Sequence, residues 1–147
     1  MADRPDLAAT LNTLLRSLVA AELPVLEKHG ITMWGYIALG ALCDKPVRTQ
    51  AALAEAIGAD KTRIISTLDR LQEAGLITRE PDPADRRARL LSATAAGHAR
   101  YQAVQGEIQA NEDRLLATLP EADRRGFLRG VQALAALSRE EIVGDPG

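Results

Sequence analysis

The sequence predicts a mainly α-helical fold that contains one small β-hairpin. Of the 147 residues, 46% are hydrophobic but only 3% are aromatic, so the core must be built largely from Leu, Ala, Ile and Val. Alanine and leucine are the strongest helix formers. Apolar residues recur every three or four positions along most of the chain, which is the period of an amphipathic helix. The exception is the stretch "LITREPDPADRRARLLSAT", where two short apolar runs flank a loop rich in Pro and Asp.

The first helix is predicted over residues 7–23, where leucines recur at helical spacing. Pro24 is expected to kink or end it, because proline has no N–H to donate and its ring clashes with the preceding turn. A short extension, "PVLEKHG", should then stop at Gly30. Residues 1–30 therefore form one N-terminal helical element.

Three shorter helices follow. Thr32, Thr49 and Asp60 each precede a helical segment and can accept a hydrogen bond from its first turn. Gly58 and Gly75 should end the second and third of these helices. Because the last two are joined by a tight turn that contains a glycine, they match the pattern of a helix-turn-helix.

A β-hairpin is predicted directly after the helix-turn-helix. Residues 76–80 and 88–93 have strand character and are separated by the Pro/Asp-rich loop. A helix-turn-helix followed by a charged hairpin is a winged helix-turn-helix. We assign this lobe to residues 31–93.

Two further helices are predicted after the hairpin. Thr94 can cap a helix over residues 95–118, which would be roughly 36 Å long at 1.5 Å per residue. Pro120 ends it, and residues 121–141 should form the last helix. Residues 94–147 thus make up a C-terminal helical element within one compact chain.

Basic residues are concentrated in the middle of a chain whose net charge is -2. Residues 61–89 carry seven Lys/Arg and five Asp/Glu, whereas each flank is acidic. The major groove of DNA admits a helix whose N-terminal residues reach base edges, and the minor groove attracts arginine. The residues predicted to contact DNA from the second helix of the motif are Lys61, Thr62, Arg63 and Ser66, and those at the hairpin tip are Asp85, Arg86 and Arg87. Arg48 and Arg70 are candidates for phosphate contacts, with plain solvent exposure as the alternative.

Residues 60–97 resemble the signature of the MarR family of transcriptional regulators. The matching pieces are Asp60, "LDRL" at 68–71, "GLI" at 75–77, "DPADRR" at 82–87, and Thr94 with Gly97. The resemblance implies an obligate homodimer built from the first and the last two helices. It also implies a recognition helix at 61–74 and a wing whose Arg87 enters the minor groove beside Asp85. This chain departs from the family at Ile65, Ser66 and Ala93, so its base contacts are not carried over.

The apolar stripes of the terminal helices also predict a homodimer. One subunit offers little surface against which they could be buried, so residues 1–30 and 94–147 should pack on a partner copy. A symmetric dimer would place two recognition helices about 34–36 Å apart, one turn of DNA, which predicts a palindromic operator. The stripes consist of Leu7, Leu11, Leu14 and Leu18 in the first helix and of Leu128, Val131, Leu134 and Leu137 in the last.

Trp34 and Tyr36 are two of the four aromatic residues. They either fill the joint between helix layers or line a cleft for a small aromatic or phenolic ligand. The second reading makes them the candidate ligand pocket, at a corner where such a ligand could alter the separation of the recognition helices.

Other chemistry is not predicted. Cys43, the single cysteine, excludes an internal disulfide and fits core packing in a reducing cytoplasm. His29 and His98 are too far apart for a recognisable metal motif, and no nucleophile motif or phosphate-binding glycine loop occurs, so we expect no metal, cofactor or catalysis. No secretory signal or membrane span is expected either.

The sequence therefore predicts a cytoplasmic, sequence-specific regulator of transcription that binds double-stranded DNA, with repression relieved by a small molecule. The alternative is a winged-helix module that serves only protein–protein contacts. Binding to duplex DNA with a steep salt dependence would distinguish the two.

Overall fold

The computed structural model describes residues 3–144, apart from the side chains of residues 86 and 87. Its backbone forms two compact units, one reaching to Ile108 and the other starting at Gln109. The elements in chain order are α1 (Leu7–Lys28), α2 (Met33–Asp44), α3 (Gln50–Ile57), α4 (Lys61–Glu73), β1 (Ile77–Asp82), β2 (Asp85–Ala93), α5 (Ala95–Leu116), α6 (Glu121–Ala135) and α7 (Arg139–Val143). The predicted fold class is confirmed, because the described residues are mainly α-helical and form one antiparallel hairpin.

Helix α1 continues through Pro24 to Lys28, so of the two outcomes predicted for Pro24, a kink or an end, the end of the helix is wrong. Proline forgoes one hydrogen bond to the preceding turn. The next two residues, Val25 and Leu26, are buried in the core, and this burial holds the last turn in helical form. The helix ends at Lys28, and Gly30 follows in the left-handed conformation, as the glycine predicted.

The three predicted N-caps are confirmed. The side-chain oxygens of Thr32, Thr49 and Asp60 each accept a hydrogen bond from the backbone N–H three residues later, at distances of 3.0, 3.0 and 2.7 Å. Gly58 ends α3 with a left-handed φ of 72°. These caps set the start of the helices that carry the candidate site.

The core of the first unit lies where α2, α3, α4 and the hairpin meet. Leu39, Leu53, Leu68 and Leu91 are completely buried there, one from each of these elements. Val104 brings α5 onto the same core. Burial of these faces leaves the opposite face of α4 in solvent.

The hairpin is longer than predicted, because most of the expected Pro/Asp loop belongs to the strands. Only Pro83 and Ala84 form the turn, where Asp82 Oδ1 accepts a hydrogen bond from the N–H of Ala84 at 2.9 Å. This aspartate turn is what lets the strands extend. Pro81 pairs with Arg89 but Asp82 with Asp85, so residues 86–88 lie in a bulge of β2.

The base of the hairpin is fixed to the rest of the lobe. Val47, between α2 and α3, forms an isolated antiparallel bridge with Leu91. Its N–H donates to the Leu91 carbonyl at 3.0 Å, and the N–H of Leu91 donates back at 2.8 Å. Ile77, at the start of β1, is buried in the core.

The start of α5 is tied to the end of α4. Thr94 caps α5 as predicted, because its Oγ1 accepts from the N–H of Gly97 at 3.0 Å. The same hydroxyl donates to the carbonyl of Gly75 at 2.7 Å, and the N–H of Thr94 donates to the carbonyl of Leu76 at 3.0 Å. The helix ends at Leu116, two residues before the predicted end.

The second unit has two helices where one was predicted over residues 121–141, and that prediction is wrong. Ser138 interrupts the helix and caps α7 through a capping box with Glu141, in which each side chain accepts from the other residue's backbone N–H. A serine followed three residues later by Glu is a start signal for a helix. Five large apolar side chains of α6 and the segment after it are more than a third exposed: Phe127, Leu128, Val131, Leu134 and Leu137.

Among residues 3–144, no helix is both long enough and apolar enough to cross a membrane.

Candidate nucleic-acid interface

Helix α4 presents a polar face to solvent. Ile64, Thr67, Leu68 and Leu71 are buried, and they fix the rotation of the helix about its axis. Every residue predicted on this helix is exposed: Lys61 at its first position, and Thr62, Arg63, Ser66 and Arg70 around the sides that face away from the core. Thr62, Ser66 and Arg70 recur every four residues, so they form one stripe along the helix.

Arg63 lies against an aromatic ring. Its Cζ atom is 5.8 Å from the centroid of the Trp34 ring, within the range of a cation–π interaction. This contact restrains the guanidinium without using its N–H groups, which stay available to acceptors. Ser66 Oγ donates to the carbonyl of Arg63 at 3.1 Å, so its lone pairs are likewise available.

Arg79, on β1, joins the hairpin to two helices and was not predicted as a site residue. Its Nε donates to Gln72 Oε1 at 2.6 Å and its Nη2 forms an ion pair with Asp69 Oδ1 at 2.6 Å, both on α4. Its Nη1 donates to Gln50 Oε1 on α3 at 3.2 Å. In the sequence Arg79 is one arginine among many in a charged segment, and no local pattern distinguishes it.

At the tip of the hairpin the side chains of Arg86 and Arg87 lie outside the described residues. Their backbone belongs to the bulge of β2. Asp85 is exposed at the first position of β2, and Arg48 is exposed just after Val47. Minor-groove entry by Arg87, with Asp85 beside it, therefore stays a prediction, as does a phosphate contact by Arg48.

Trp34 and Tyr36 have different partners. Trp34 meets Arg63, whereas Tyr36 stacks on Tyr101 of α5 with ring centroids 5.0 Å apart and an angle of 22° between the planes. Two positions apart on a helix, the two side chains point about 200° apart around the axis. The two aromatic residues that were predicted as one pocket thus lie on different sides of α2.

A hollow of about 300 Å³ lies beside Tyr101, between α2 and α5. Its lining is mixed in polarity and consists of Gly40, Cys43, Asp44, His98, Tyr101, Gln102 and Gln105. Cys43 packs against the core, as predicted, and burial raises the pKa of its thiol. It is therefore held in the unreactive thiol form at neutral pH.

Another charged contact ties α1 to α5. Lys28 Nζ donates to Glu107 Oε1 at 2.7 Å, and this hydrogen bond is the main reason that the pKa of Glu107 lies below its usual range. Arg100 donates to the carbonyl of His29 at 2.7 Å in the same region. Among residues 3–144 there is no group of three or more His, Cys, Asp or Glu that could hold a metal ion.

Comparison with known proteins finds similarity to regulators of transcription. Residues 29–88 match the model of the MarR family. A candidate transcriptional regulatory protein for the hcr operon of Thauera aromatica is 30% identical over 107 residues, which cover 73% of this chain and 64% of that protein. The transcriptional regulator HosA of Escherichia coli O111:H- is 41% identical over 76 residues, covering 52% of this chain and 53% of HosA. The matches thus span less than two thirds of the length of either relative.

Two solved structures of a protein named CouR have the same fold. The repressor bound to a 23-mer DNA duplex is 26% identical with a TM-score of 0.75, and the comparison covers 88% of this chain and 92% of that one. CouR from Rhodococcus jostii RHA1 bound to p-coumaroyl-CoA is 25% identical with a TM-score of 0.73, covering 90% and 94%.

Proposed function

We propose that the chain, whose residues 29–88 match the model of the MarR family, is a member of that family and acts as a cytoplasmic regulator of transcription rather than as an enzyme. In this proposal it binds double-stranded DNA in a sequence-specific manner. The observation that carries the proposal is the exposed polar face at the start of α4. A guanidinium such as that of Arg63 reads guanine through its O6 and N7 atoms, and hydroxyls such as those of Thr62 and Ser66 suit several bases or phosphates. The repressor CouR bound to a DNA duplex supports the same role for a chain of this fold.

The hairpin supplies the second contact in this proposal. Arg86 and Arg87 belong to the bulged end of a wing that projects beyond the core, and Asp85 stands next to them. A narrow minor groove has a strong negative potential that favours arginine. We assign Arg87 to the minor groove, and Arg48, Lys61 and Arg70 to phosphates.

We also propose that the protein works as a homodimer held together by residues 1–30 and 94–147. Apolar side chains of both terminal segments are exposed in a single chain, as Leu11 of α1 and Leu134 of α6 illustrate at 41% and 53%. Exposed apolar patches of this kind mark interfaces between protein chains. A two-fold dimer would recognise a palindromic operator.

A small aromatic or phenolic ligand is proposed to relieve repression. CouR bound to p-coumaroyl-CoA supports this for a protein of the same fold. The part of the predicted pocket that this proposal retains is Tyr36, whose stacking partner Tyr101 lines the hollow between α2 and α5. To release DNA, such a ligand must bind the geometry that does not fit DNA more tightly than the geometry that does.

Selection of DNA fragments by the purified protein tests the proposal. We expect one palindromic sequence to be enriched. The affinity for it should fall steeply as the salt concentration rises, with a slope of about −0.9 per phosphate contact when the logarithm of affinity is plotted against the logarithm of salt concentration. Enrichment of no sequence, or an affinity that does not change with salt, would instead favour the module that serves only protein–protein contacts.

Replacement of Arg87 with alanine tests the wing. We expect weaker operator binding at matched salt, with thermal stability nearly unchanged, because the residue lies in a bulge near the hairpin tip. If the side chain also neutralises a phosphate, the salt slope should fall by about 1. Arg16→Ala, at an exposed position of α1 and away from its leucine stripe, is the control for loss of one positive charge. Equal affinity of Arg87→Ala and the wild type would exclude Arg87 from the interface.

Replacement of Arg63 with alanine tests base reading. We expect a loss of about 1–3 kcal/mol in binding free energy and relaxed preference at one operator position, because the guanidinium would no longer contact a base edge. Arg70→Ala is the matched comparison on the same helix, since loss of a phosphate contact weakens binding to all sequences alike. Binding measured on operators substituted at each position separates the two. An unchanged preference profile in Arg63→Ala would show that Arg63 reads no base.

A further inference from the structure

The side chain of Arg79 makes contacts that an ordinary surface arginine does not make. Its guanidinium uses Nε, Nη1 and Nη2 on three acceptors, two of them on α4 and one on α3. The side chain of Arg79 is only 18% exposed, although its ion-pair partner Asp69 is 51% exposed. An exposed ion pair alone contributes little to stability, whereas a planar guanidinium that donates to three acceptors is held in one orientation.

The position of Arg79 along β1 gives these contacts their importance. Ile77, two residues before, is on the same face of the strand and lies in the core. Beyond Arg79, Glu80 and Pro81 are exposed, and the bulge of β2 follows. Arg79 therefore stands between the anchored base of the hairpin and the tip that carries Arg86 and Arg87. An isolated two-stranded hairpin is only marginally stable in water and does not hold its own angle to a neighbouring helix.

The same contacts argue against a direct role in DNA binding. Three of the five guanidinium N–H groups already donate to protein acceptors, and the side chain is only 18% exposed, so little of it is left for a phosphate. Asp69 and Gln72 lie on α4, the helix assigned to the major groove. Arg79 thus links the two structures that must reach the major and minor grooves together.

We propose that Arg79 is a positioning residue that sets the angle between the wing and the recognition helix, so that Arg63 and Arg87 meet adjacent grooves of one DNA site. The part of this inference that concerns DNA binding, tested in the DNA arm of the experiment below, rests on the proposed function. Its mechanical part, the coupling of wing to helix, concerns the free protein and is measured without DNA.

Amide hydrogen exchange of the free protein tests the coupling. In Arg79→Met, the amides of residues 78–90 should exchange faster, while those of α2 and α5 keep the protection of the wild type. Arg79→Lys should behave almost as Arg79→Met, because an ammonium is a point charge and does not span acceptors on two helices. Glu80→Gln alters the charge of the neighbouring exposed residue and should leave exchange unchanged. Wing exchange in Arg79→Met equal to that of the wild type would overturn the proposal.

Two variants on the acceptor side keep the test valid if Arg79→Met folds poorly. Asp69→Ala and Gln72→Ala remove the partners at exposed positions of α4 and spare the arginine itself. Their combination should raise exchange in the same wing residues. If the combined variant exchanges in the wing as the wild type does, the contacts do not hold the wing and the proposal fails.

The DNA arm uses a double-mutant cycle with the selected operator. A misplaced wing cannot bring Arg87 to the minor groove, so Arg87→Ala should weaken operator affinity less in the Arg79→Met background than in the wild type. The product of the two single-variant fold losses in affinity should therefore exceed the fold loss of the double variant by at least about threefold. Losses that simply multiply would mean that Arg79 does not act through the wing. If the wild type selects no DNA, the proposed function fails, and the exchange experiment still decides whether Arg79 couples wing and helix.

Discussion

Replacement of Gly97 with alanine is expected to lower the melting temperature by roughly 6–12 °C. A Cβ at position 97 would lie 2.1 Å from the carbonyl oxygen of Leu76 and 3.2 Å from Leu39 Cδ1. The first contact is with backbone, which is itself held because the Leu76 carbonyl accepts from the N–H of Thr94. Either α5 or the loop after α4 must therefore move. Overpacking of this kind costs about 3 kcal/mol, and each kcal/mol lowers the melting temperature of a chain of this size by about 2–4 °C.

Gly106→Ala is the matched control, because Gly106 lies on the same helix and, apart from the adjoining backbone of that helix, nothing lies within 4 Å of the position of an added Cβ. Here the higher helix propensity of alanine should raise stability by up to about 1 kcal/mol. Thermal unfolding followed by circular dichroism compares the two variants under one condition. A melting temperature of Gly97→Ala at or above that of Gly106→Ala would contradict the close approach of α5 to Leu76.

Removal of residues 121–147 is expected to abolish the homodimer and leave unfolded or aggregated protein. The deletion takes away the apolar side chains of α6, such as Val131 and Leu134, and leaves the exposed leucines of α1 without a partner surface. The full chain should sediment at twice the 15.8 kDa of one copy. A well-behaved monomer, for the full chain or for the shortened one, would contradict assembly through the terminal helices.

Point variants separate loss of the interface from loss of a helix. Leu134→Asp places a charge in the apolar stripe, where desolvation in a dimer would be costly, so it should shift sedimentation towards monomer or aggregate. Arg129→Asp, at an exposed position on the same helix, makes a larger change of charge outside the stripe. It should leave the dimer intact. Equal behaviour of the two variants would argue against the stripe as the contact surface.

Features that depend on neighbouring residues could be predicted from the sequence. Thr32, Thr49, Asp60 and Thr94 were recognised as caps because a side chain reaches the N–H three residues later, whatever the rest of the fold does. The rotation of α4 followed from the spacing of its apolar residues. That rotation exposes Arg63 and the other polar residues of the helix, so this part of the candidate site was accessible to sequence reasoning.

Features decided by distant packing could not be predicted. Pro24 stays inside the helix because the burial of Val25 and Leu26 in the core stabilises the last turn, and this packing leaves no local pattern around the proline. Arg79 meets acceptors up to 29 positions away, and Trp34 meets Arg63 across two helices, so neither contact leaves a local pattern. The break before α7 differs from these, because Ser138 with Glu141 is a readable start signal that was outweighed by the apolar stripe.

The bridge between Val47 and Leu91 also protects the chain against strand pairing with other copies of itself. A strand edge with free N–H and C=O groups is a template on which another molecule can add a strand, and apolar edges are the most hazardous. Around Leu90 and Leu91 the outer edge of β2 would be such a template. Val47 of the same chain forms both hydrogen bonds with the backbone N–H and C=O of Leu91, at the most apolar part of the hairpin, so these groups are not open to another molecule. Nearer the tip the edge carries Arg86, Arg87 and Arg89, whose like charges repel a second copy while they are suited to a polyanion.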